Sequence, residues 1–232
     1  MHLNLPIDIN KVKGFLDPKE GEALYNFAKQ YTLSGSCLEI GSYCGKSAVY
    51  LGKAVKENGQ KLYSIDHHKG SEEQQPGEEY FDPDLRNKNG DGIDTLPFFL
   101  DTIQKSDLEG FVIPIVSTSE EAYEDLNINF DMVFIDGGHS EEAAQKDYDL
   151  WTQRINVGGL LAIHDVFPNP EDGGRPPYNI YIKALESGEF KELEIVQSLR
   201  LLNTFASLML RGLHGDRIVN TPIFVEMIFE PY

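Results

Sequence analysis

Three acids stand where apolar runs end: Asp66 after Leu62-Tyr63-Ser64-Ile65, Asp136 after Met132-Val133-Phe134-Ile135, and Asp165 after Leu160-Leu161-Ala162-Ile163-His164. A carboxylate brings two acceptor oxygens, which suits a pair of hydroxyls or a hard divalent cation. Two histidines accompany them, His139 three residues beyond Asp136 and His164 beside Asp165. An imidazole adds a proton acceptor that works near neutral pH, or a nitrogen ligand for a metal. A further candidate lies upstream in Cys37-Leu38-Glu39-Ile40-Gly41-Ser42-Tyr43-Cys44-Gly45-Lys46-Ser47. There an apolar run meets two glycines and then a segment of helical character. Glycine lets the backbone turn sharply and a ligand come close, and a helix start presents unpaired N–H groups.

Such residues act together only if the chain brings them to one place. Apolar runs predict strands over 37–41, 61–66, 111–116, 131–136 and 157–163, the last opened by Gly158-Gly159, with two more near 193–199 and 223–229. The spacing of Ala23, Leu24, Phe27, Ala28 and Tyr31 behind Asp17-Pro18 predicts a helix over 18–31. Further helices are predicted over 46–57, closed by Asn58-Gly59, over 94–105, onward from Ser117-Thr118-Ser119, over 140–155 and over 178–186. Strands alternating with helices predict an α/β fold: a doubly wound, mostly parallel seven-stranded Rossmann-like sheet with helices on both faces. Right-handed crossovers place the strand C-termini on one edge, where ligands bind. Gly41, Asp66, Ser117, Asp136 and Asp165 all fall on that edge. Residues 1–34 are expected to form an N-terminal arm and helix, and 35–232 the ligand-binding domain. Residues 67–92 lack apolar periodicity and are rich in Glu, Gly and Pro, which predicts a long loop acting as a lid.

The 232 residues carry 38 acidic against 20 basic side chains, a formal charge of -18. That field repels nucleic acid and anionic membrane surfaces, and no dense Lys/Arg cluster offsets it. No apolar stretch approaches the ~20 residues that span a bilayer. The first residues lack the basic start and apolar run of a secretion signal. Sparse cysteine use, Cys37 and Cys44 alone, suits a reducing compartment. A soluble cytoplasmic protein is expected, with no nucleic-acid or membrane partner and with homo-oligomerisation left open.

Two nucleotide-binding patterns come near and fail. Gly41-x-x-x-Gly45-Lys46-Ser47 is one residue short of a phosphate-binding loop, although Met132 to Asp136 would suit the magnesium acid of a nucleotide hydrolase. A P-loop-like nucleotide-binding protein stays open as the alternative. Tyr43 stands where a dinucleotide fingerprint requires its second glycine. Leu38 to Ser47, Ile65-Asp66, Phe134-Ile135-Asp136-Gly137-Gly138-His139 and Gly158 to Asp165 together resemble the class I S-adenosylmethionine-dependent methyltransferases. Within them the chain is most similar to small-molecule O-methyltransferases of the catechol and macrolide-sugar kinds. The resemblance runs from about residue 35 to residue 166.

That resemblance implies S-adenosylmethionine as cofactor and a small-molecule hydroxyl as methyl acceptor. Gly41, Ser42, Gly45 and Ser47 would lie against the amino-acid part of the cofactor, with Glu39 supporting the loop. Asp66 would accept from both ribose hydroxyls, and Ser119 would sit near the adenine edge or serve as a helix cap. Asp136 would border the cofactor and, with Asp165 and His164, hold Mg2+ or another divalent cation. Catechol-type relatives carry an amide ligand where this chain has Val166, so the set is incomplete unless His164, Glu171 or Asp172 contributes. His139 falls where the relatives carry a catalytic base. A methyltransferase-fold module that binds the cofactor without turnover is the other alternative.

Overall fold

Strands β1 (Cys37–Ile40), β2 (Leu62–Ile65), β3 (Val112–Ile115), β4 (Phe130–Ile135) and β5 (Ile155–Ile163) are dominated by branched and aromatic side chains. β1 and the C-terminal halves of β4 and β5 are buried without interruption. Continuous burial of this kind is what a parallel sheet covered on both faces demands. A computed structural model describes residues 3–78, 80–138, 140–169 and 174–205. In it these strands join β6 (Phe190–Val196) and β7 (Leu199–Thr204) in the order β3-β2-β1-β4-β5-β7-β6. β1 to β5 pair in parallel, and β7 runs antiparallel to both β5 and β6. The seven-stranded, mostly parallel sheet predicted from the sequence is therefore present.

Among the described residues six helices flank it: α1 (Pro18–Tyr31), α2 (Lys46–Asn58), α3 (Leu96–Lys105), α4 (Ser119–Asp125), α5 (Glu141–Trp151) and α6 (Pro176–Glu186). Residues from α1, α2 and α3, among them Leu24, Leu51 and Phe99, pack with Met132, Phe134, Leu160 and Ala162. Residues from α4, α5 and α6, among them Ala122, Trp151 and Ile180, pack with Val133, Ile135, Leu161 and Ile163. Successive strand residues point to opposite faces. The parity that turns Phe134 and Ala162 toward α1–α3 therefore turns Glu39, Asp136 and His164 that way too. α1 lies close on α2: a Cβ at Gly21 would stand 2.3 Å from the ring of Tyr50.

Three expectations need correction. The strand expected over 193–199 is a hairpin, with β6 ending at Val196, Gln197 at φ 52 and β7 starting at Leu199. Gln197-Ser198 lacks the Gly or Asn signature of a tight turn, so the break is invisible in the sequence. The strand expected over 223–229 lies outside the described residues. β5 starts at Ile155 and not at Val157, and its pairing with β4 shifts register between Phe130 and Met132. α5 stops at Trp151, short of residue 155, and continues as one 3-10 turn over Thr152–Arg154.

The described residues of 67–92 include two 3-10 turns (Glu72–Gln74 and Pro83–Leu85), and Leu85 of the second is buried with Ile93 and Cys44. Cys37 and Cys44 are buried thiols. No described helix is long and apolar enough to cross a membrane.

Candidate active site

Backbone bonds carry the ladders one residue past the strands: Gly41 N to Ile65 O, Asp66 N to Ile115 O, Asp136 N to Ile40 O and His164 N to Ile135 O. Asp66, Gly41, Asp136 and His164 thus form a row along the carboxyl edge. Gly41 has φ +86, and a Cβ there would stand 2.0 Å from the Asp136 carbonyl oxygen. Its bareness lets the β1 loop close directly onto the end of β4.

At the β1–β2 end the loop folds around a carboxylate. Ser42 N and Tyr43 N donate to Asp66 Oδ2 at 3.0 and 2.8 Å, and His68 N donates to Oδ1 at 2.7 Å. Tyr43 (φ 47) and His68 (φ 60) are held left-handed, a conformation that costs such residues about 1–3 kcal/mol and persists where its surroundings enforce it. Beneath the loop, Glu39 is fully buried and accepts from Ser64 Oγ at 2.5 Å. Burial pushes the Glu39 carboxyl up to about 7, opposed by the Ser47 and Ser64 hydroxyls and reinforced by the charges of Asp136 and Asp66. Among the described residues, Glu39 Oε1 and Ser42 Oγ have no hydrogen-bond partner. Orphaned buried polar atoms are rare in folded proteins, and two beside one turn leave hydrogen-bonding capacity there unused.

At the β4–β5 end three acids surround an imidazole. His164 Nδ1 lies 2.9 Å from Asp136 Oδ1 and 3.3 Å from Asp165 Oδ1, while Nε2 lies 3.0 Å from Glu20 Oε2. Glu20 Oε1 accepts from Ser198 N, Ser198 Oγ and Leu199 N at 2.8, 2.7 and 3.1 Å. Both His164 and Glu20 are buried. Burial disfavours charge on His164, but Asp136, Asp165 and Glu20 outweigh it and hold the imidazole well above its ordinary pKa. Burial likewise pushes Glu20 up, but His164 and Ser198 outweigh it and bring the carboxyl below its usual value.

Asp136, His164 and Asp165 each offer a ligand atom, all within 4.8 Å of one another. Neighbouring ligands of a small octahedral cation, bound at about 2.1 Å, stand about 3 Å apart. The imidazole–carboxylate separations match that spacing, so the residues fit a divalent ion. Position 166 adds no side-chain ligand: Val166 is fully buried, and its carbonyl accepts from Arg200 Nη2 at 2.8 Å.

Ser119 is the first residue of α4, and the cap is Thr118, whose hydroxyl accepts from Glu121 N. The Ser119 oxygen accepts instead from Trp151 Nε1 at 2.8 Å. Beside it burial pushes Asp147 up to about 6, opposed by the Ser119 hydroxyl. A Cβ at Gly137 would meet Asp147 Oδ2 at 2.7 Å, which brings this group to the edge as well. His139, Glu171 and Asp172 lie outside the described residues.

The structure thus gathers Glu39, Gly41, Ser42, Gly45, Ser47 and Asp66 at one end of the edge and Asp136, His164 and Asp165 at the other. It adds residues that the sequence did not single out. Glu20 carries a signal, the Asp17-x-x-Glu20 capping box that does form at α1, but that local role conceals the distant one. Lys13 Nζ reaches Asp82 Oδ2 at 2.5 Å and Asp84 Oδ2 at 2.9 Å, fastening the N-terminal arm to the 67–92 segment. Phe15 packs on Tyr43 and Tyr80 at 5.9 and 5.7 Å between ring centres.

A family model described as a methyltransferase domain matches residues 38–166, more than half of the chain. Among solved structures, the O-methyltransferase TomG from Streptomyces achromogenes, involved in tomaymycin synthesis and solved in complex with SAM, is 13% identical. That match covers 83% of this chain and 82% of TomG, with a TM-score of 0.59. The O-methyltransferase from Bacillus cereus in complex with SAH is 12% identical over 84% of each chain, with a TM-score of 0.59. The SAH-bound methyltransferase PaMTH1 from Podospora anserina is 14% identical over 82% of this chain and 80% of its own, with a TM-score of 0.58. At such identities the likeness establishes the fold. The chain belongs to the methyltransferase-domain family and is a class I S-adenosylmethionine-dependent methyltransferase.

Proposed function

We propose that the protein transfers the methyl group of S-adenosylmethionine to the hydroxyl of a small molecule, with a divalent cation held by Asp136, Asp165 and His164. The observation that carries this reading is the Asp66 carboxylate inside the glycine turn. A phosphate-binding loop keeps its N–H groups for an anion, whereas Ser42 N and Tyr43 N here already face Asp66. With Glu39 and Asp136 alongside, the edge favours a cation, and the methyl donor carries a sulfonium and an ammonium. The nucleotide-hydrolase alternative has no such support.

Gly41, Ser42, Gly45 and Ser47 take the amino-acid end of the cofactor, above Glu39. Asp66 Oδ1 keeps a lone pair beyond its bond to His68 N and accepts from the ribose. Ser119, with Asp147, sits toward the adenine. In the transfer the S–CH3 bond breaks as the O–CH3 bond forms, so the protein mainly aligns the two partners. The acceptor hydroxyl must also lose its proton, and His139 is the proposed base. A bound divalent ion would lower the pKa of that hydroxyl.

Titration calorimetry with SAM, SAH and ATP tests the cofactor: SAM and SAH are expected to bind and ATP is not. Tight ATP binding without response to SAM would overturn the reading. Transfer of a labelled methyl group to hydroxyl compounds of an extract tests the reaction. Chelation is expected to abolish turnover while sparing SAM binding. Full activity after chelation would leave proton removal to His139 alone.

A further inference from the structure

We infer that Glu20 fixes the tautomer of His164, making its Nδ1 a nitrogen ligand, so that the cation site prefers manganese, iron, cobalt or zinc over magnesium. The inference rests on the metal reading above and deepens it by naming the class of cation and the residue that selects it.

Its two nitrogens face opposite ways. Nδ1 looks toward Asp136 and Asp165, and Nε2 toward Glu20. An ionised carboxylate only accepts hydrogen bonds, so the nitrogen facing Glu20 must carry a proton. The other nitrogen then holds either a proton shared with Asp136 or a metal ion. A carboxylate behind a ligating imidazole orients the ring and raises its basicity.

Glu20 is held in place for this task. Its Oε1 is fixed by Ser198 N, Ser198 Oγ and Leu199 N from the β6–β7 hairpin. Its Oε2 also accepts from Asp17 N at 3.2 Å in the capping box of α1. Next to it, Gly21 seats α1 against Tyr50. The carboxylate cannot swing away, and His164 stands edge-on to Phe134 at 6.2 Å. Magnesium prefers oxygen ligands throughout, whereas an imidazole suits the later divalent ions.

The test loads the full chain with Mn2+ or Mg2+ alone and reads affinity by calorimetry and Mn2+ coordination by electron spin-echo spectroscopy. Wild type is expected to bind Mn2+ more tightly than Mg2+ and to show nitrogen modulation from one imidazole. His164→Asp should lose that modulation and the preference. Glu20→Gln offers one carbonyl oxygen where the hairpin needs an acceptor, so its amide NH2 turns to Nε2 and drives the ring proton onto Nδ1. Its Mn2+ affinity should fall about 10–100-fold, and the modulation should disappear. In Glu20→Gln/His164→Asp the aspartate accepts from the amide, and binding should return without preference between the ions. If Glu20→Gln does not fold, wild type against His164→Asp still decides whether nitrogen ligates. A Mn2+-loaded wild type without nitrogen modulation, or a Glu20→Gln protein that binds Mn2+ as wild type does, would overturn the inference and leave an oxygen-held metal standing. A wild type that binds neither ion would overturn the metal reading and this inference together.

Discussion

Asp66 and Asp136 occupy equivalent places, each one residue past the end of a parallel strand, yet different parts of the chain satisfy them. Asp66 meets backbone N–H groups of its own edge. Asp136 meets an imidazole, which is itself held by a glutamate from α1. Backbone donors need no side chain to be frozen and do not titrate, so the β1–β2 end is a fixed cradle. The β4–β5 end is built of ionisable groups, Asp136, Asp165, Glu20 and the His164 ring between them. On the proposed reading, the first half holds the cofactor and the second exchanges protons or a cation during the reaction.

The largest break is expected where the halves touch. Gly41→Ala puts a Cβ against the Asp136 carbonyl at a left-handed φ. It should lower unfolding free energy by more than about 3 kcal/mol and abolish SAM binding, as read by urea denaturation and calorimetry. A wild-type midpoint would show that the halves part without harm.

Next comes the charge beneath the cradle. Glu39 sits at about 7 in the folded chain, above its ordinary 4.5, so folding favours its protonated form. Its contribution is complete below about 4.5 and is lost as pH rises through about 7. At 1.36 kcal/mol per unit, that loss is on the order of 3 kcal/mol. Glu39→Gln should remove this decline from a stability–pH curve. Asp147, pushed by burial up to about 6, would still give the variant a decline at lower pH. An unchanged curve would assign the pH dependence to other groups.

Asp66→Ala should weaken SAM binding by about 1.5–3 kcal/mol and leave Mn2+ binding at the far end intact, since none of the hydrogen bonds described for that cluster involves Asp66. Equal loss of both would show that the halves are one unit. The smallest effect is expected from Lys13→Ala. It releases Asp82 and Asp84 at a part-exposed site, with a stability loss below about 1 kcal/mol. Hydrogen exchange should quicken in 80–90 of the variant and slow there when wild type binds SAM. Identical exchange in all three would remove the lid role proposed for 67–92.

The two halves were also unequally legible in the sequence. Gly41, Gly45 and Asp66 announce themselves because a turn and a strand end are local events with local composition rules. The same holds for α1 and α2, whose ends fall at Asp17-Pro18 and Asn58-Gly59 as expected. Asp136 and Asp165 were legible as strand-end acids. His164 was read beside them, but the Glu20 carboxylate behind its ring was not, because no spacing rule ties residue 20 to residue 164. Ser119 shows a related limit: its sequence position suits a cap, while its partner, Trp151, lies on another helix. The hairpin at Gln197-Ser198 escaped for the opposite reason, a local turn made by residues that do not signal one.

The bond between Glu20 and His164 spans 144 residues, and those from Ser198 to Glu20 span 178. Contacts this far apart close last, because the loop entropy must be lost before the contact repays it. During synthesis α1 emerges long before β5 and the β6–β7 hairpin exist, so Glu20 waits without its partners while the first βαβ units assemble. Helical signal should therefore return early in refolding, and cation binding only when α1, β5 and the β6–β7 hairpin have met. On this expectation the β4–β5 end of the edge is completed late, and its completion reports that α1 has docked on β5 and the β6–β7 hairpin.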